Sequence, residues 1–245
     1  MKKVVIVTGV GKGFGENLFK SLCHKYIVIG ITRSEDDACK LKEYCQINNL
    51  TSEILTLDVT DFDLVQSMLT PLLLKYKKSL WGIINNAGMR CRKSLEDLNL
   101  DEIKEVCETN LFAPIFLTQL ILPFLKNNSS GRIINISSIL SQKSLADLGA
   151  YAVSKAGLDG FTRSVAVEYS KYGITCNSIL PGFCKTSYFD KFKNNENLYQ
   201  FIVNRTPMRR WGESDEIVGI CEFILSDSAS YISGASIPVD GGWLS

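Results

Sequence analysis

A doubly wound α/β domain is what this sequence predicts: a parallel sheet of about seven strands with helices on both faces. Three observations lead there. Short apolar, β-branched segments alternate with amphipathic ones along the whole chain, the pattern of parallel strands joined by right-handed crossover helices. The strand-like segments show little polar alternation, as strands buried on both faces do. A glycine-rich turn follows the first of them and opens the first helix. The 245 residues suit one large domain and are short for two, so residues 1–245 read as a single domain.

In order, Lys3–Thr8 reads as a strand and Phe14–His24 as a helix. Tyr26–Thr32 is a second strand, and Asp36–Ile47 a helix with Leu41 and Tyr44 on one face. Glu53–Leu57, Phe62–Leu74 and Leu80–Asn85 follow as strand, helix and strand. Leu100–Leu125 is a long helical stretch in which Pro114 predicts a kink. Arg132–Ser137 is a fifth strand, and Ala150–Tyr172 a helix stopped by Gly173. Ile174–Leu180 is a sixth strand. Ser214–Leu225 is a helix with Ser214 as its N-cap, and Ser236–Val239 a last strand. The segment 183–212 is rich in Lys, Arg and Asn and has no clear period. It reads as a substrate-side loop and lid with short helices.

Composition excludes some function classes. A net charge of +1 gives no field for a polyanion, so no nucleic-acid partner is expected. Met1-Lys2-Lys3 before Val4–Val7 has the flavour of a signal peptide, but the apolar run ends at Thr8-Gly9, and a first strand explains it better. No run of about 18 apolar residues occurs, so no membrane span is expected. The eight cysteines form no C-x-x-C pair, and the single His24 cannot complete a zinc site. No metal is expected, and scattered thiols suit a reduced, cytoplasmic setting.

The turn Thr8-Gly9-Val10-Gly11-Lys12-Gly13-Phe14-Gly15 lies where a backbone must approach a pyrophosphate at a helix N-terminus. Its spacing is G-x-x-x-G-x-G, and a plain turn is the alternative. Further motifs follow in order: Asn85-Asn86-Ala87-Gly88, Asn110, Ser138, Tyr151-x-x-x-Lys155, Pro181-Gly182 and Val239-Asp240-Gly241-Gly242. Together they resemble the short-chain dehydrogenase/reductase family, in its short single-domain form, over essentially the whole chain. The nearest pattern is that of the 3-oxoacyl-[acyl-carrier-protein] reductases.

The resemblance implies a Rossmann-type fold and a dinucleotide held by Gly9, Gly11, Lys12, Gly13, Phe14, Gly15, Arg33, Ser34, Asp58, Val59, Asn86, Ala87, Gly88, Tyr151, Lys155, Pro181, Gly182 and Thr186. Asp58 would cap the adenine amino group; a helix-capping Asp is the alternative. The second strand ends Ile31-Thr32-Arg33-Ser34, with no acid where NAD-preferring relatives carry one. Arg33 and Lys12 are suited to a 2′-phosphate, which favours NADP(H) over NAD(H). Glu35, Asp36 and Asp37 follow closely and would oppose a phosphate.

Tyr151 and Lys155 are four apart and share a helix face. Tyrosine titrates near pH 10, and a shift of three units takes about 4 kcal/mol of preference for phenolate. A nearby ammonium in a partly dehydrated cleft supplies charge of the right sign. The family set is completed by Ser138, polarising the carbonyl, and Asn110, holding a water beside Lys155. The implied reaction is hydride transfer between nicotinamide and a carbonyl or secondary alcohol, with Tyr151 as general acid/base. Arg90, Arg92 and Lys93 border the cleft, and Arg205, Arg209 and Arg210 end the lid. They leave two readings open: an anionic group on the small-molecule substrate, or a solvated loop. Ser129 and Tyr172 stand where carrier-protein reductases place basic docking residues. A homotetramer or homodimer is implied, with the apolar tail around Trp243 and Leu244 packing on a neighbour. The rival class is a non-catalytic nucleotide-sensing or scaffolding protein on the same fold.

Overall fold

The computed structural model describes residues 2–186, 189 and 195–245. Seven parallel strands form one sheet in the order β3-β2-β1-β4-β5-β6-β7. They are β1 (Val4–Thr8), β2 (Ile27–Thr32), β3 (Ser52–Thr56), β4 (Leu80–Asn85), β5 (Gly131–Ile136), β6 (Ile174–Pro181) and β7 (Ser236–Val239). The order reverses between β1 and β4, and ligands of such sheets bind outside the carboxyl ends at that switch.

Alternation along each strand feeds two cores. Val4 and Ile6 face one layer, and Val5 and Val7 the other. The first layer holds α3 (Phe62–Lys75), α5 (Ala113–Asn127) and α6 (Gly149–Tyr169) through Leu69, Leu117, Ile121 and Val165. The second holds α1 (Gly13–Leu22), α2 (Glu35–Ile47) and α8 (Val218–Leu225) through Phe19, Leu41 and Ile224. A third, smaller cluster lies at the carboxyl edge and includes Leu148, Tyr151, Trp211 and Trp243. A buried polar ladder crosses the sheet: Asn85 donates to Asn135 (2.8 Å), and Asn135 to Thr162 (2.8 Å).

Several expected boundaries move. The stretch from Leu100 is α4 (Leu100–Cys107), a π-helical turn over Glu108–Phe112, and then α5. Pro114 lies in the first turn of α5 rather than at a mid-helix kink. It has no N–H to return to the Asn110 carbonyl four residues earlier, so the regular α ladder cannot run through. The segment 100–127 is long and apolar enough to cross a membrane by length and composition. Half of its most apolar window is buried, and α5 packs against β4 and β5, which makes it a core helix of this fold.

The helix expected from Ser214 begins at Val218. Ser214 does not cap it; its hydroxyl accepts from Asn17 Nδ2 of α1 (2.9 Å). Glu216 turns back onto the Glu213 amide (2.7 Å) and the Arg210 guanidinium, which holds the preceding turn apart from the helix. The helix expected over Ala150–Tyr172 ends at Tyr169, followed by a 3₁₀ turn and by Gly173 at φ 73°. Within the expected lid, Cys184 bridges to Gly212, and α7 (Glu196–Arg205) is capped by Asn195. Residues 187–188 and 190–194 of that lid lie outside the described residues.

Candidate active site

A cleft of about 850 Å³ runs along the carboxyl edge of the sheet, at the upper end of small-ligand sites. The turn from β1 to α1 forms its floor. Gly9 and Gly13 take φ of +71° and +59°, which side-chain-bearing residues rarely adopt. A Cβ on Gly15 would lie 2.0 Å from the Gly9 carbonyl oxygen. Gly15→Ala is therefore expected to cost about 2–3 kcal/mol, read as a drop in thermal midpoint of several degrees. An unchanged melt would show that the turn relaxes freely. Lys12 is the N-cap of α1 and gives no side-chain hydrogen bond, so the first N–H groups of the helix face the cleft uncapped.

The Asn86-Ala87-Gly88 segment is tied to this turn. Asn86 Nδ2 donates to the carbonyls of Thr8 (2.9 Å) and Gly9 (3.1 Å). Thr8 Oγ1 accepts from the amides of Asn86 and Ala87 at 2.9 Å each. The side chains of Thr8 and Asn86 thus hold β1 to β4 at the switch point, a role for Thr8 that its place before the glycines did not announce.

At the far end of the cleft, Lys12, Arg33, Ser34, Asp58 and Val59 line one region. Arg33 Nη1 donates to Asp58 Oδ2 (3.3 Å), and Asp58 Oδ1 accepts from Thr60 N (2.9 Å) and Oγ1 (2.8 Å). Burial alone would raise the Asp58 carboxyl, but the Thr60 bonds and the Arg33 guanidinium outweigh it and hold it below the usual carboxylate range. Asp58 is not a helix cap; Asp61 caps α3 by accepting from Leu64 N (3.1 Å). Ser34 caps α2, accepting from Asp37 N (3.2 Å). Of the three acids that follow it, only Asp37 lines the cleft; Glu35 accepts from Thr56 (3.0 Å).

The reactive end lies beyond Gly88. Tyr151 and Lys155 on α6 are 6% and 3% exposed, with the Lys155 ammonium 5.8 Å from the Tyr151 ring centre. Lys155 Nζ donates to the Ile136 carbonyl (2.7 Å) at the end of β5. Arg90 also lies over this ring, its guanidinium carbon 4.9 Å from the centre. Burial works against ionising Tyr151. The charges of Arg90 and Lys155, with hydrogen bonds from Ser138 and Arg90, overcome it, and the phenol lies below its ordinary value. Burial pushes the Lys155 ammonium down.

Ser138 lines the cleft and accepts from Leu140 N (3.1 Å). Ser137 lines it too, but its hydroxyl donates to the Lys155 carbonyl (3.4 Å), while Ser138 is the serine that hydrogen-bonds Tyr151. Asn110 is fully buried in the π turn. It clasps Met89, accepting from the amide (2.8 Å) and donating to the carbonyl (2.9 Å), and donates to Ser154 Oγ (3.0 Å). Pro181, Gly182 and Thr186 line the cleft after β6. Gly15, Asn110 and Lys155 sit behind the lining rather than in it.

The remaining wall draws on the segment expected as a lid, though the sequence did not single out its apolar residues. Leu145, Leu148, Phe183, Phe189, Ile202 and Trp211 line it, drawn from separate segments. The cations expected at the lid end are committed elsewhere: Arg210 pairs with Glu216 (2.7 and 2.6 Å), Arg205 lies over Trp243, and Arg209 donates to the Asn204 carbonyl. Arg90 and Arg92 do line the cleft. Trp243, expected to pack on a neighbour, is 4% exposed within its own chain, against Phe183.

Comparison with known proteins follows the same lines. A family model described as Enoyl-(Acyl carrier protein) reductase matches residues 9–244. The chain is 33% identical over 241 residues to the 3-oxoacyl-[acyl-carrier-protein] reductase FabG of Pseudomonas aeruginosa, covering 98% of this chain and 96% of that protein. It is 30% identical over 243 residues to the 2-dehydro-3-deoxy-D-gluconate 5-dehydrogenase of Bacillus subtilis, covering 99% and 95%. A crystal structure assigned as an NAD(P)-dependent gluconate 5-dehydrogenase of Beutenbergia cavernae, with NADP bound at low occupancy, superposes with a TM-score of 0.94. It is 28% identical, covering 99% of this chain and 96% of that one. Fold, motif order and these likenesses make the chain a member of the short-chain dehydrogenase/reductase family of oxidoreductases.

Proposed function

We propose that this protein is an NADP(H)-dependent oxidoreductase acting on a small carbonyl or secondary alcohol, with Tyr151 as general acid/base. The observation that carries the reading is Tyr151, buried with two cations close to its ring and Ser138 beside it, at the sheet edge that also carries the glycine turn. A bound nicotinamide would supply or accept the hydride. Tyr151 gives its proton to the carbonyl oxygen, or takes one from the alcohol. Ser138 hydrogen-bonds that oxygen as charge develops on it. Lys155 favours the phenolate from behind the cleft lining, and Asn110 keeps the Met89 backbone and the π turn in register. A non-catalytic nucleotide sensor would have no use for a buried ammonium held next to a tyrosine.

The donor set fits a dinucleotide with a 2′-phosphate. The uncapped start of α1 and Gly9, Gly11 and Gly13 suit the pyrophosphate, and Gly15 lets the turn close on Gly9. Phe14, Asn86, Ala87, Gly88, Pro181, Gly182 and Thr186 line its course. Asp58 and Val59 flank the adenine end, where Lys12 and Arg33 offer two positive charges and Asp37 one negative. Titration with NADPH and NADH tests this. NADPH is expected to bind more tightly; Arg33→Ala should weaken it about tenfold, and Asp37→Asn should tighten it several-fold, with NADH little changed. Tighter NADH binding by the wild-type protein would overturn the phosphate reading.

Residues 1–245 are read as one domain with a lid within 183–212. Exposed Leu100, Phe112, Val153 and Val167 on the α4–α5 and α6 faces support a homotetramer or homodimer. Eight free cysteines suit a reducing cytoplasm, and no nucleic-acid or membrane partner is proposed.

A further inference from the structure

Arg90 is aimed from a fixed point. The residue before it, Met89, is clasped at both its amide and its carbonyl by Asn110. From there the guanidinium reaches over Tyr151, 4.9 Å from the ring centre. A substrate oxygen that takes the Tyr151 proton lies about 2.7 Å from the phenol oxygen. A guanidinium that lies this close to the ring and also hydrogen-bonds the phenol can grip an anion roughly two or three bonds from that carbonyl. Arg92 also lines the cleft and lies 4.0 Å from Asp147.

The apolar part of the lining has a different chemistry. Leu145, Leu148, Phe183, Phe189 and Ile202 offer no side-chain hydrogen bond. The exception is the Trp211 indole, 5% exposed, whose Nε1 has no hydrogen-bond partner among the described residues. Phe189 and Phe183 meet its ring edge-on, at 5.0 and 5.6 Å. A polyol chain would leave several hydroxyls unpaired against such a wall, at about 1–3 kcal/mol each. A thioester would place no charge on Arg90.

We propose that the substrate is a short 2- or 3-oxo acid with an apolar or aromatic body, and that Arg90 selects its carboxylate. The proposal rests on Tyr151 as the acid that serves the carbonyl. In the reducing direction the ketone carbon gains the hydride given up by NADPH, and its oxygen takes the proton of Tyr151. The C=O π bond is lost, the carboxylate stays on Arg90 unchanged, and the products are a hydroxy acid and NADP⁺.

The test compares phenylpyruvate, 4-methyl-2-oxopentanoate and 3-oxohexanoate with their methyl esters, using NADPH, in the wild-type enzyme and Arg90→Met. The ratio of kcat/KM for acid over ester is the readout, because any loss of Tyr151 activation acts on both and cancels. At least one acid is expected to be favoured about 100-fold or more, and the ratio to collapse towards unity in Arg90→Met. Calorimetry with phenylacetate and benzyl alcohol on the NADP⁺-loaded protein gives a second readout. Phenylacetate should bind the wild type and not Arg90→Met, and benzyl alcohol should not make the distinction. Esters reduced as well as acids, with a ratio that Arg90→Met leaves unmoved, would overturn the proposal and leave the reductase reading intact. Arg90-dependent phenylacetate binding without reduction of any carbonyl would support the carboxylate site and sink the reductase reading. Absence of phenylacetate binding together with no acid preference would overturn the proposal.

Discussion

Tyr151→Phe is expected to lower turnover at least about a thousandfold while leaving NADPH binding within about tenfold of wild type. The phenol oxygen is the only atom removed. The ring stays in the small cluster with Leu148 and Trp211, so the fold should keep its thermal midpoint. The oxygen lies where charge has been arranged for it: Arg90 over one side of the ring, Lys155 5.8 Å from its centre, and Ser138 within hydrogen-bond reach. Ser138 is a far weaker acid than a phenol and cannot take over the proton transfer, and Ser137 is turned to the Lys155 carbonyl. Steady-state rates with intrinsic-fluorescence titration separate the two effects. Turnover above about a tenth of wild type would remove Tyr151 from the acid/base role.

Lys155→Met should produce the next largest loss, about 100- to 1,000-fold in alcohol oxidation at neutral pH, and it carries a pH signature. Oxidation needs the phenolate, so its rate rises with pH through the Tyr151 pKa. Reduction needs the protonated phenol, so its rate falls through the same pKa. Burial opposes ionisation of Tyr151, and Arg90, Lys155 and Ser138 together reverse that balance. Removing the ammonium returns the phenol upward, and both limbs move to higher pH. At neutrality, oxidation therefore suffers more than reduction. Stability should not fall in parallel, since a 3% exposed ammonium, itself pushed down by burial, is replaced by an apolar chain of similar length. A pH–rate profile of the variant that overlays the wild type, scaled only in height, would assign Lys155 to cofactor binding alone.

Much of the fold could be read from local pattern because the determinants are local. Val4–Val7, Leu80–Ile84 and Ile237–Val239 are continuous apolar or β-branched segments bounded by turns, and the strands fall where these segments do. The glycine turn and the Tyr151–Lys155 spacing are short-range signals of the same kind. What was not legible depends on partners far away in sequence. Ser214 has the chemistry of a cap, but its hydroxyl is taken by Asn17, 197 residues earlier. Trp243 looked like an outward apolar tail until Phe183 closed over it. The sequence marked Pro114 but not the π turn before it, which Asn110 holds through Met89. The substrate wall is assembled from residues spread between 145 and 211, and no spacing rule connects Leu145 to Trp211. Asp37 was visible as a charge, whereas its turn towards the cleft, rather than that of Glu35, follows from Ser34 capping α2.

The most direct measurement is label transfer. The purified protein is incubated with NADPH deuterated at one or the other face of the nicotinamide C4, together with the panel of oxo acids and simple ketones, and the products are read by mass spectrometry. Deuterium should appear at the new carbinol carbon from one face only, in wild-type protein and not in Tyr151→Phe. NADPH that binds but delivers no label from either face, to any carbonyl, would contradict the hydride-transfer account and return the chain to a nucleotide-binding role.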